Sequence, residues 1–270
     1  MFEVTDVNPR IKGCNVVITG ASSGLGEKMA IECAKQGANL ILLARREEML
    51  AQLAERLKQD YGVSCHYYVM DVQNIELTQQ VFSQIEERVG QIDILVNNAG
   101  FGIFNDVVDA TLDEMKDMFE VNVYGLVATT KMVLPTMMKR NKGHIINIAS
   151  QAGKIATPKS SLYAASKHAV IGFTNSLRME VKPSNIYVTS VNPGPIKTNF
   201  FEIADKQGDY VKSVERWMLD PNKVARIIVN SMLTSRREIN LPGWMNAGST
   251  LYQVMPRLFE RIAGKALFKK

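Results

Sequence analysis

The chain has 270 residues, of which 46% are hydrophobic and 22% charged, an ordinary composition for a globular protein. It contains no apolar run of about eighteen residues, and residues 1–10 lack the apolar core of a secretory signal, so we expect neither a transmembrane helix nor secretion. The net charge of +5 is concentrated in residues 251–270, which hold five basic residues against Glu260, so the body lacks the basic face that nucleic-acid binding requires.

The cysteines and histidines indicate a reducing compartment and no metal site. Cys14, Cys33 and Cys65 are odd in number and have no paired spacing, so we expect free thiols and a cytoplasmic location. The three histidines, at 66, 144 and 168, fall in different predicted elements without metal-ligand spacing. We therefore predict no bound metal.

Apolar runs of strand length alternate with segments of helical period along most of the chain, a pattern typical of βαβ units and a parallel sheet. The predicted strands are residues 15–19, 39–43, 64–69, 94–97, 144–149, 186–191 and 238–241. The predicted helices are residues 25–36, 47–59, 75–89, 112–139, 162–181 and 221–233. We expect one α/β domain over residues 1–270, with a core at about 12–242.

The first strand-to-helix junction, residues 19–26, has the sequence TGASSGLG. Its three glycines allow a sharp turn, a close approach to phosphate and close helix packing. The following helix start adds unpaired N–H groups that attract an anion. The motif predicts a dinucleotide site, although glycines alone also occur in ordinary strand–turn–helix connections.

The end of the second predicted strand indicates which dinucleotide binds. A site for NAD usually has a carboxylate there, whereas this chain has Ala44 followed by Arg45 and Arg46. Guanidinium groups bind phosphate in a bidentate manner, so the pair favours NADP(H) with its 2′-phosphate. The alternative is two solvated arginines that pair with Glu47 and Glu48.

Tyr163 and Lys167 are four residues apart in a predicted helix and therefore share one face. An ammonium beside a phenol favours the phenolate and suits the tyrosine to acid–base chemistry. Ser150 ends the fifth predicted strand and so faces the same crevice as the glycine turn. Taken singly, the pair could arise by chance and the serine could be a strand-end cap.

These motifs together resemble the short-chain dehydrogenase/reductase family. The matches follow in the family's order: residues 19–26, Asp71, residues 97–100, Asn122, Ser150, Tyr163, Lys167, Pro193-Gly194 and Thr198. The resemblance implies a Rossmann-type doubly wound parallel sheet of about seven strands with helices on both faces. It also implies a homo-oligomer, either a dimer or a tetramer.

The resemblance further assigns catalytic roles to four residues. Tyr163 is the implied general acid in reduction, and Lys167 is implied to bind the nicotinamide ribose and lower the phenol pKa. Ser150 is implied to orient the carbonyl, and Asn122 to hold a water of a proton relay. Without the family, Asn122 would be interpreted as a polar kink in a helix.

The same resemblance implies a cofactor site. Asp71 is expected at the adenine, although it could equally cap a helix, and Thr198 at the nicotinamide carboxamide, although it could be a loop cap. Ser23 departs from relatives that have a basic residue there. The full expected set is Gly20, Ser22, Ser23, Gly24, Leu25, Gly26, Arg45, Arg46, Asp71, Val72, Asn98, Ala99, Gly100, Tyr163, Lys167, Pro193, Gly194, Ile196 and Thr198.

Residues 194–219 have no clean period and predict a long functional or mobile loop beyond a strand end. The aromatic and apolar residues that could line a substrate pocket, or only pack this lid, are Phe101, Phe104, Phe200, Phe201, Tyr210, Trp217 and Met218. A pocket of this kind suits an apolar or amphipathic carbonyl compound.

The C-terminal extension, residues 243–270, predicts an amphipathic basic helix interrupted at Pro256. Its apolar positions at helical spacing are Leu251, Val254, Met255, Leu258, Phe259 and Ile262, and its basic positions are Arg257, Arg261 and Lys265. It could pack on the lid, form a subunit interface or contact an anionic membrane. We favour the first two over membrane contact.

The sequence therefore predicts an NADP(H)-dependent oxidoreductase that interconverts a ketone or aldehyde and an alcohol, with hydride exchanged at nicotinamide C4. The alternatives are a non-catalytic NADP(H)-binding sensor or scaffold on the same fold, and a 3-oxoacyl reductase. The expected partner is a small carbonyl or alcohol substrate.

Overall fold

This computed structural model describes residues 8–205 and 208–267, with side-chain detail for all of these except 209, 210, 213 and 263–267. The predictions about Tyr210, Lys265 and the end of the C-terminal extension, residues 268–270, therefore lie outside the described residues or side chains. Seven parallel strands of the described chain form one sheet: β1 (Asn15–Thr19), β2 (Asn39–Ala44), β3 (Cys65–Val69), β4 (Ile94–Asn97), β5 (Gly143–Ile148), β6 (Ile186–Pro193) and β7 (Glu238–Leu241). The predicted doubly wound fold is confirmed.

The strand order β3-β2-β1-β4-β5-β6-β7 reverses direction at β1. The chain moves outward from β1 through β2 to β3, then returns to β4 on the other side of β1 and moves outward again. At such a reversal, the connections that leave β1 and β4 diverge and leave a crevice at the carboxyl ends of the strands. The crevice lies between the glycine turn and residues 97–100.

The helices of the described chain cover both faces of the sheet. They are α1 (Gly24–Lys35), α2 (Glu47–Tyr61), α3 (Ile75–Val89), α4 (Leu112–Phe119), α5 (Leu126–Arg140), α6 (Ser161–Glu180), α7 (Phe200–Ala204), α8 (Asp209–Val214), α9 (Pro221–Asn230), α10 (Gly243–Val254) and α11 (Pro256–Leu267). None of these helices combines the length and apolar content needed to cross a bilayer.

Two apolar cores form because alternate residues of each strand face opposite sides. Val16 and Ile18 of β1 pack in the core with α1, α2 and α9. Val17 packs on the other side in the core with α3, α5 and α6. Burial of both faces explains why the central strands β1, β2 and β4 are apolar at most positions.

Two predicted segments differ in the kind of structure they form, whereas the bounds of the other predicted strands and helices differ from the observed ones by at most three residues. The helix predicted over 112–139 contains a π-helical stretch, Glu120–Gly125, between α4 and α5. The expectation of an irregular loop over 194–219 is wrong for the parts that form α7, α8 and a 3-10 turn at Glu215–Trp217. These helices span fewer than two turns, so they are too short to produce a recognisable apolar period.

Candidate active site

The glycine turn between β1 and α1 is tight and interlocks with the loop after β4. Gly20 (φ +64°) and Gly24 (φ +57°) adopt the left-handed conformation that favours glycine. A Cβ on Gly26 would lie 2.7 Å from Asn98 Nδ2, so a larger residue would separate the two loops. Asn98 Nδ2 also donates to the carbonyl oxygens of Thr19 at 2.9 Å and Gly20 at 3.2 Å. The two sequence motifs thus form one structural unit.

Arg46 directs positive charge onto this turn. Its Nη2 lies 2.6 Å from Ser23 Oγ and 3.0 Å from Ser22 Oγ. Ser23 precedes α1 and makes no side-chain capping bond, so its hydroxyl does not satisfy the first N–H groups of the helix. The guanidinium and the helix start therefore offer positive charge to one small region.

Arg45, which the sequence predicts to bind phosphate together with Arg46, has a different partner from Arg46. Its Nη1 is 3.7 Å from Asp71 Oδ2, and its side chain is largely exposed. Asp71 follows β3 and also accepts from the Gln73 backbone N–H at 3.1 Å. The next residue, Val72, is buried against Gly125 of the π-helical stretch.

The segment after β6 passes over the glycine turn. Pro193 ends β6, and the Gly194 N–H donates to the Leu241 carbonyl at 2.6 Å. Ile196 forms an isolated parallel bridge with Leu219. Thr198 Cβ lies 3.6 Å from the position that a Cβ on Gly24 would occupy. Residues far apart in sequence therefore meet at the crevice.

Tyr163 and Lys167 lie on the buried face of α6. The Lys167 Nζ is 5.8 Å from the centroid of the Tyr163 ring and donates to the Ile148 carbonyl, at the end of β5, at 2.9 Å. Burial lowers the pKa of Lys167 to about 8, because the charged form loses hydration. The lysine is consequently still protonated near neutral pH, but only by a narrow margin.

Ser150 follows β5 and is only partly buried. Its Oγ accepts from the Ala152 N–H at 3.1 Å, which caps the 3-10 turn Gln151–Gly153, and lies 3.4 Å from the Pro193 carbonyl oxygen. The capping role considered from sequence is therefore present. The hydroxyl nevertheless lies at the carboxyl ends of β5 and β6, which border the crevice.

Asn122 lies in the π-helical stretch and is almost fully buried. Its Nδ2 donates to the Phe101 carbonyl at 2.9 Å and to Ser166 Oγ at 3.0 Å, while its Oδ1 accepts from the Phe101 N–H at 3.0 Å. A Cβ on Gly100 would lie 2.9 Å from Asn122 Oδ1 and 3.5 Å from Lys167 Nζ. The amide and the ammonium therefore flank the same glycine.

The sequence did not predict the π-helical stretch or the hydrogen bond by which Ser166 orients Asn122. A π turn is often found at functional sites because it reorients one or two side chains. Ser166 also donates to the Tyr163 carbonyl three residues earlier, a bond common in ordinary helices. The available signal was its position between Tyr163 and Lys167, on the face that α6 buries.

Aromatic side chains surround the Tyr163 ring. Phe104 meets it edge-on at a centroid distance of 5.6 Å, and Phe200 lies 5.8 Å away. A Cβ on Gly102 would lie 2.9 Å from Tyr163 Cδ2, so the loop after β4 passes directly over the ring. Trp217 instead packs on Trp244 of α10 at 5.2 Å.

Comparison with known proteins identifies the same architecture. The sequence profile of the short chain dehydrogenases matches residues 14–208. An NADP-dependent 3-hydroxy acid dehydrogenase from Schizosaccharomyces pombe is 35% identical over 236 residues, 85% of this chain and 90% of that protein.

Two solved structures extend the comparison. L-sorbose reductase from Gluconobacter frateurii, complexed with NADPH and L-sorbose, is 29% identical with a TM-score of 0.77, over 86% of this chain and 96% of that one. A short chain dehydrogenase/reductase from Burkholderia phymatum in complex with NAD is 25% identical with a TM-score of 0.84, over 96% of each chain. Similar folds thus hold either cofactor.

Proposed function

The chain belongs to the short-chain dehydrogenase/reductase family and is an oxidoreductase acting on CH–OH and C=O groups, and we propose that it is an NADP(H)-dependent carbonyl reductase or alcohol dehydrogenase in which Tyr163 exchanges the proton. The observation that carries the proposal is the burial of Tyr163 and Lys167 together on α6, beside the ends of β5 and β6. No carboxylate among the described residues pairs with Lys167. Burial of an unpaired lysine is costly, and such costs are typical of functional sites.

The residues at the crevice fit NADP(H). The glycine turn and the start of α1 would hold the pyrophosphate, since the backbone there is compact and its N–H groups are not capped by Ser23. Arg46 would hold the 2′-phosphate, because its guanidinium is fixed by Ser22 and Ser23 rather than by a carboxylate. Ala44 supplies no carboxylate for a free 2′-hydroxyl.

The remaining expected cofactor contacts surround the glycine turn and Arg46. Asp71, held by Arg45, would contact the adenine, and Asn98, Ala99 and Gly100 would line the adenosine side. The segment Pro193, Gly194, Ile196 and Thr198 would contact the nicotinamide end. When bound, NADP(H) supplies or accepts the hydride at nicotinamide C4.

Tyr163 moves the proton. Its hydroxyl donates to the carbonyl oxygen during reduction and accepts from the alcohol during oxidation. The Lys167 ammonium favours the phenolate electrostatically and would bind the ribose hydroxyls. The Ser150 hydroxyl donates a hydrogen bond to the same substrate oxygen, where negative charge builds.

Asn122 would position the water of a proton relay that reprotonates Tyr163 after reduction. Its Oδ1 lies beside Gly100 and near Lys167 Nζ, so a water between the amide and the ammonium would complete a relay to solvent. The hydrogen bonds of Asn122 to Phe101 and Ser166 fix the amide in that orientation.

The aromatic ring cluster suits an apolar or amphipathic substrate. Phe104 and Phe200 contact the Tyr163 ring, so part of any substrate that reaches the hydroxyl meets an apolar wall. We place the enzyme in the cytoplasm, since its three cysteines are free and buried. We also propose a homo-oligomer, since α4 exposes Leu112 and the adjoining π-helical stretch exposes Tyr124.

The Tyr163→Phe variant tests this function. It keeps the ring and its aromatic contacts but removes the hydroxyl, so kcat should fall by about a thousandfold while NADPH affinity changes less than about twofold. NADPH oxidation is measured with a panel of aldehydes and ketones, and NADPH binding by fluorescence. The matched control is Tyr187→Phe on β6, which should leave both values unchanged.

Two results would contradict the proposal. Turnover by Tyr163→Phe close to the wild-type rate would exclude Tyr163 as the proton donor. Failure of the wild-type chain to oxidise NADPH with any member of the panel, despite binding it, would favour the sensor or scaffold alternative.

A further inference from the structure

Large apolar side chains are exposed together at the C-terminal end of the chain. Among the described side chains, nineteen large hydrophobic ones are exposed, and seven of them belong to the short region formed by Trp217, α10, Met255 and α11. They are Trp217, Trp244, Leu251, Val254, Met255, Leu258 and Ile262. We call these seven residues the C-terminal apolar surface. Such clustering marks an interaction site rather than ordinary surface.

The helical geometry places these side chains in stripes. Trp244, Leu251 and Met255 recur at spacings of seven and four, so they lie on one side of α10 and its C-cap. Leu258 and Ile262 are four apart on α11 and therefore form the equivalent stripe there.

The two C-terminal helices do not use these stripes to pack on each other. The contact between them includes Tyr252 and Phe259, whose rings meet edge-on at 5.5 Å, and Phe259 also approaches Gly248. The C-terminal apolar surface is thus left uncovered by the described chain. Val254 is 74% exposed and Ile262 is 70% exposed.

Positive charge borders this surface. Arg257 and Arg261 lie on α11 in the row beside Leu258 and Ile262, and both are exposed. Arg216 lies 4.7 Å from the Trp217 ring centroid, which itself packs on Trp244. Residues 251–270 contain Glu260 as their single acidic residue against five basic ones.

We infer that the C-terminal apolar surface docks on an anionic lipid bilayer as a peripheral, in-plane contact. Helices with an apolar stripe and flanking arginines insert that stripe to the level of the headgroups while the arginines pair with lipid phosphates. Tryptophan prefers this interfacial depth. A second copy of the chain fits less well, because a two-fold interface would place the same cationic surface against itself.

The sequence alone favours lid packing or a subunit interface over membrane contact for this extension. The structure reverses that preference, since the described chain leaves the apolar stripe uncovered. The helix α10, which carries part of this surface, also contacts the segment after β6. A Cβ on Gly194 would lie 2.7 Å from Met245 Sδ, so α10 packs directly on the segment after β6. The docking inference does not depend on the proposed activity.

The test is sedimentation of the full chain with vesicles. Vesicles of phosphatidylcholine with about 30 mol% phosphatidylserine should bind the wild-type chain, and vesicles of phosphatidylcholine alone should bind it at least about tenfold more weakly. Arg257→Gln with Arg261→Gln should weaken binding by about fivefold for each arginine. Val254→Ser with Ile262→Ser should weaken it by about tenfold or more.

Matched controls remove equivalent groups at the amino ends of the strands, on the side of the sheet opposite the crevice. Lys139→Gln with Lys182→Gln changes two exposed cations near the amino ends of β5 and β6, and Met138→Ser with Met179→Ser changes two exposed apolar residues there. Both control pairs should bind the anionic vesicles like wild type. All the substituted side chains are exposed, so the variants should fold.

Three outcomes would overturn the inference. The first is no binding to anionic vesicles, and the second is equal binding to both vesicle types. The third is a loss of oligomer mass by light scattering in the Val254→Ser and Ile262→Ser variant, with vesicle binding unchanged, which would assign the surface to a subunit interface.

Discussion

Replacing Lys167 by methionine should stabilise the cofactor-free protein at pH 7. The Lys167 side chain is 5% exposed, and burial lowers its pKa from 10.5 to about 8. Converted to free energy, this difference is a penalty of about 3 kcal/mol on the folded state while the lysine is charged. The lost hydrogen bond to the Ile148 carbonyl offsets about 1 kcal/mol of the gain. The net expectation is an increase of about 2 kcal/mol in the free energy of unfolding.

The effect should depend on pH with a defined sign. Between pH 8 and 10.5 the unfolded chain binds more protons at this lysine than the folded chain does, so wild-type stability rises with pH across that interval. The penalty falls to about 1 kcal/mol by pH 10, which equals the offsetting hydrogen bond. The advantage of Lys167→Met should therefore vanish near pH 10.

Urea unfolding of the cofactor-free chain at pH 7 and pH 10 measures both quantities, since the other titrating groups are common to the two proteins. Lys139→Met is the control, because Lys139 is exposed at the end of α5 and carries no burial penalty. A Lys167→Met variant less stable than wild type at pH 7, or a stability difference equal at both pH values, would refute the reasoning.

Two further predictions concern Arg46 and His144. Arg46→Gln should lower kcat/KM with NADPH by about 10- to 100-fold and leave kcat/KM with NADH nearly unchanged, since the lost group is a charged phosphate donor. The control Arg56→Gln, in the helix α2 that follows Arg46, should change neither value, and equal losses with both cofactors would contradict the assignment. His144 is fully buried and accepts from the Leu233 N–H at 2.9 Å, and burial lowers its pKa from 6.5 to about 3. The folded state therefore requires the neutral form of His144, and the free energy of unfolding of the wild type should fall by about 3 kcal/mol between pH 6.5 and 4. His144→Gln should lack this part of the pH dependence. Equal pH dependence of the two proteins in urea unfolding would disprove the prediction.

The strands and the glycine turn could be predicted because their information is local. The strands predicted at Asn15–Thr19 and Ile94–Asn97 have the observed bounds, since a central strand buried on both faces needs apolar residues at most positions. The predicted strand Glu238–Leu241 also has the observed bounds, although it is a partly buried edge strand with polar residues at two of its four positions. The turn at 19–26 could be identified because left-handed backbone and close packing restrict its positions to glycine.

Features that depend on contacts between residues far apart in the chain could not be predicted from the sequence. The π-helical stretch that presents Asn122 has the composition of an ordinary helix, and its partners Phe101 and Ser166 are 21 and 44 residues away. The separation of Arg45 from Arg46 follows from Asp71 and from the serines of the turn, which are brought together only when β1, β2 and β3 pair.

By itself, the sequence determined the strands, the long helices, the family and the set of candidate residues, because each depends on a local pattern of residues. The tertiary structure alone decided which of these side chains lose water and which keep it. Lys167 is a buried cation on α6, whereas Trp244 and Ile262 are exposed on a surface that the described part of the chain leaves uncovered. Burial depends on what the remainder of the chain places against a residue, and no local pattern contains that information.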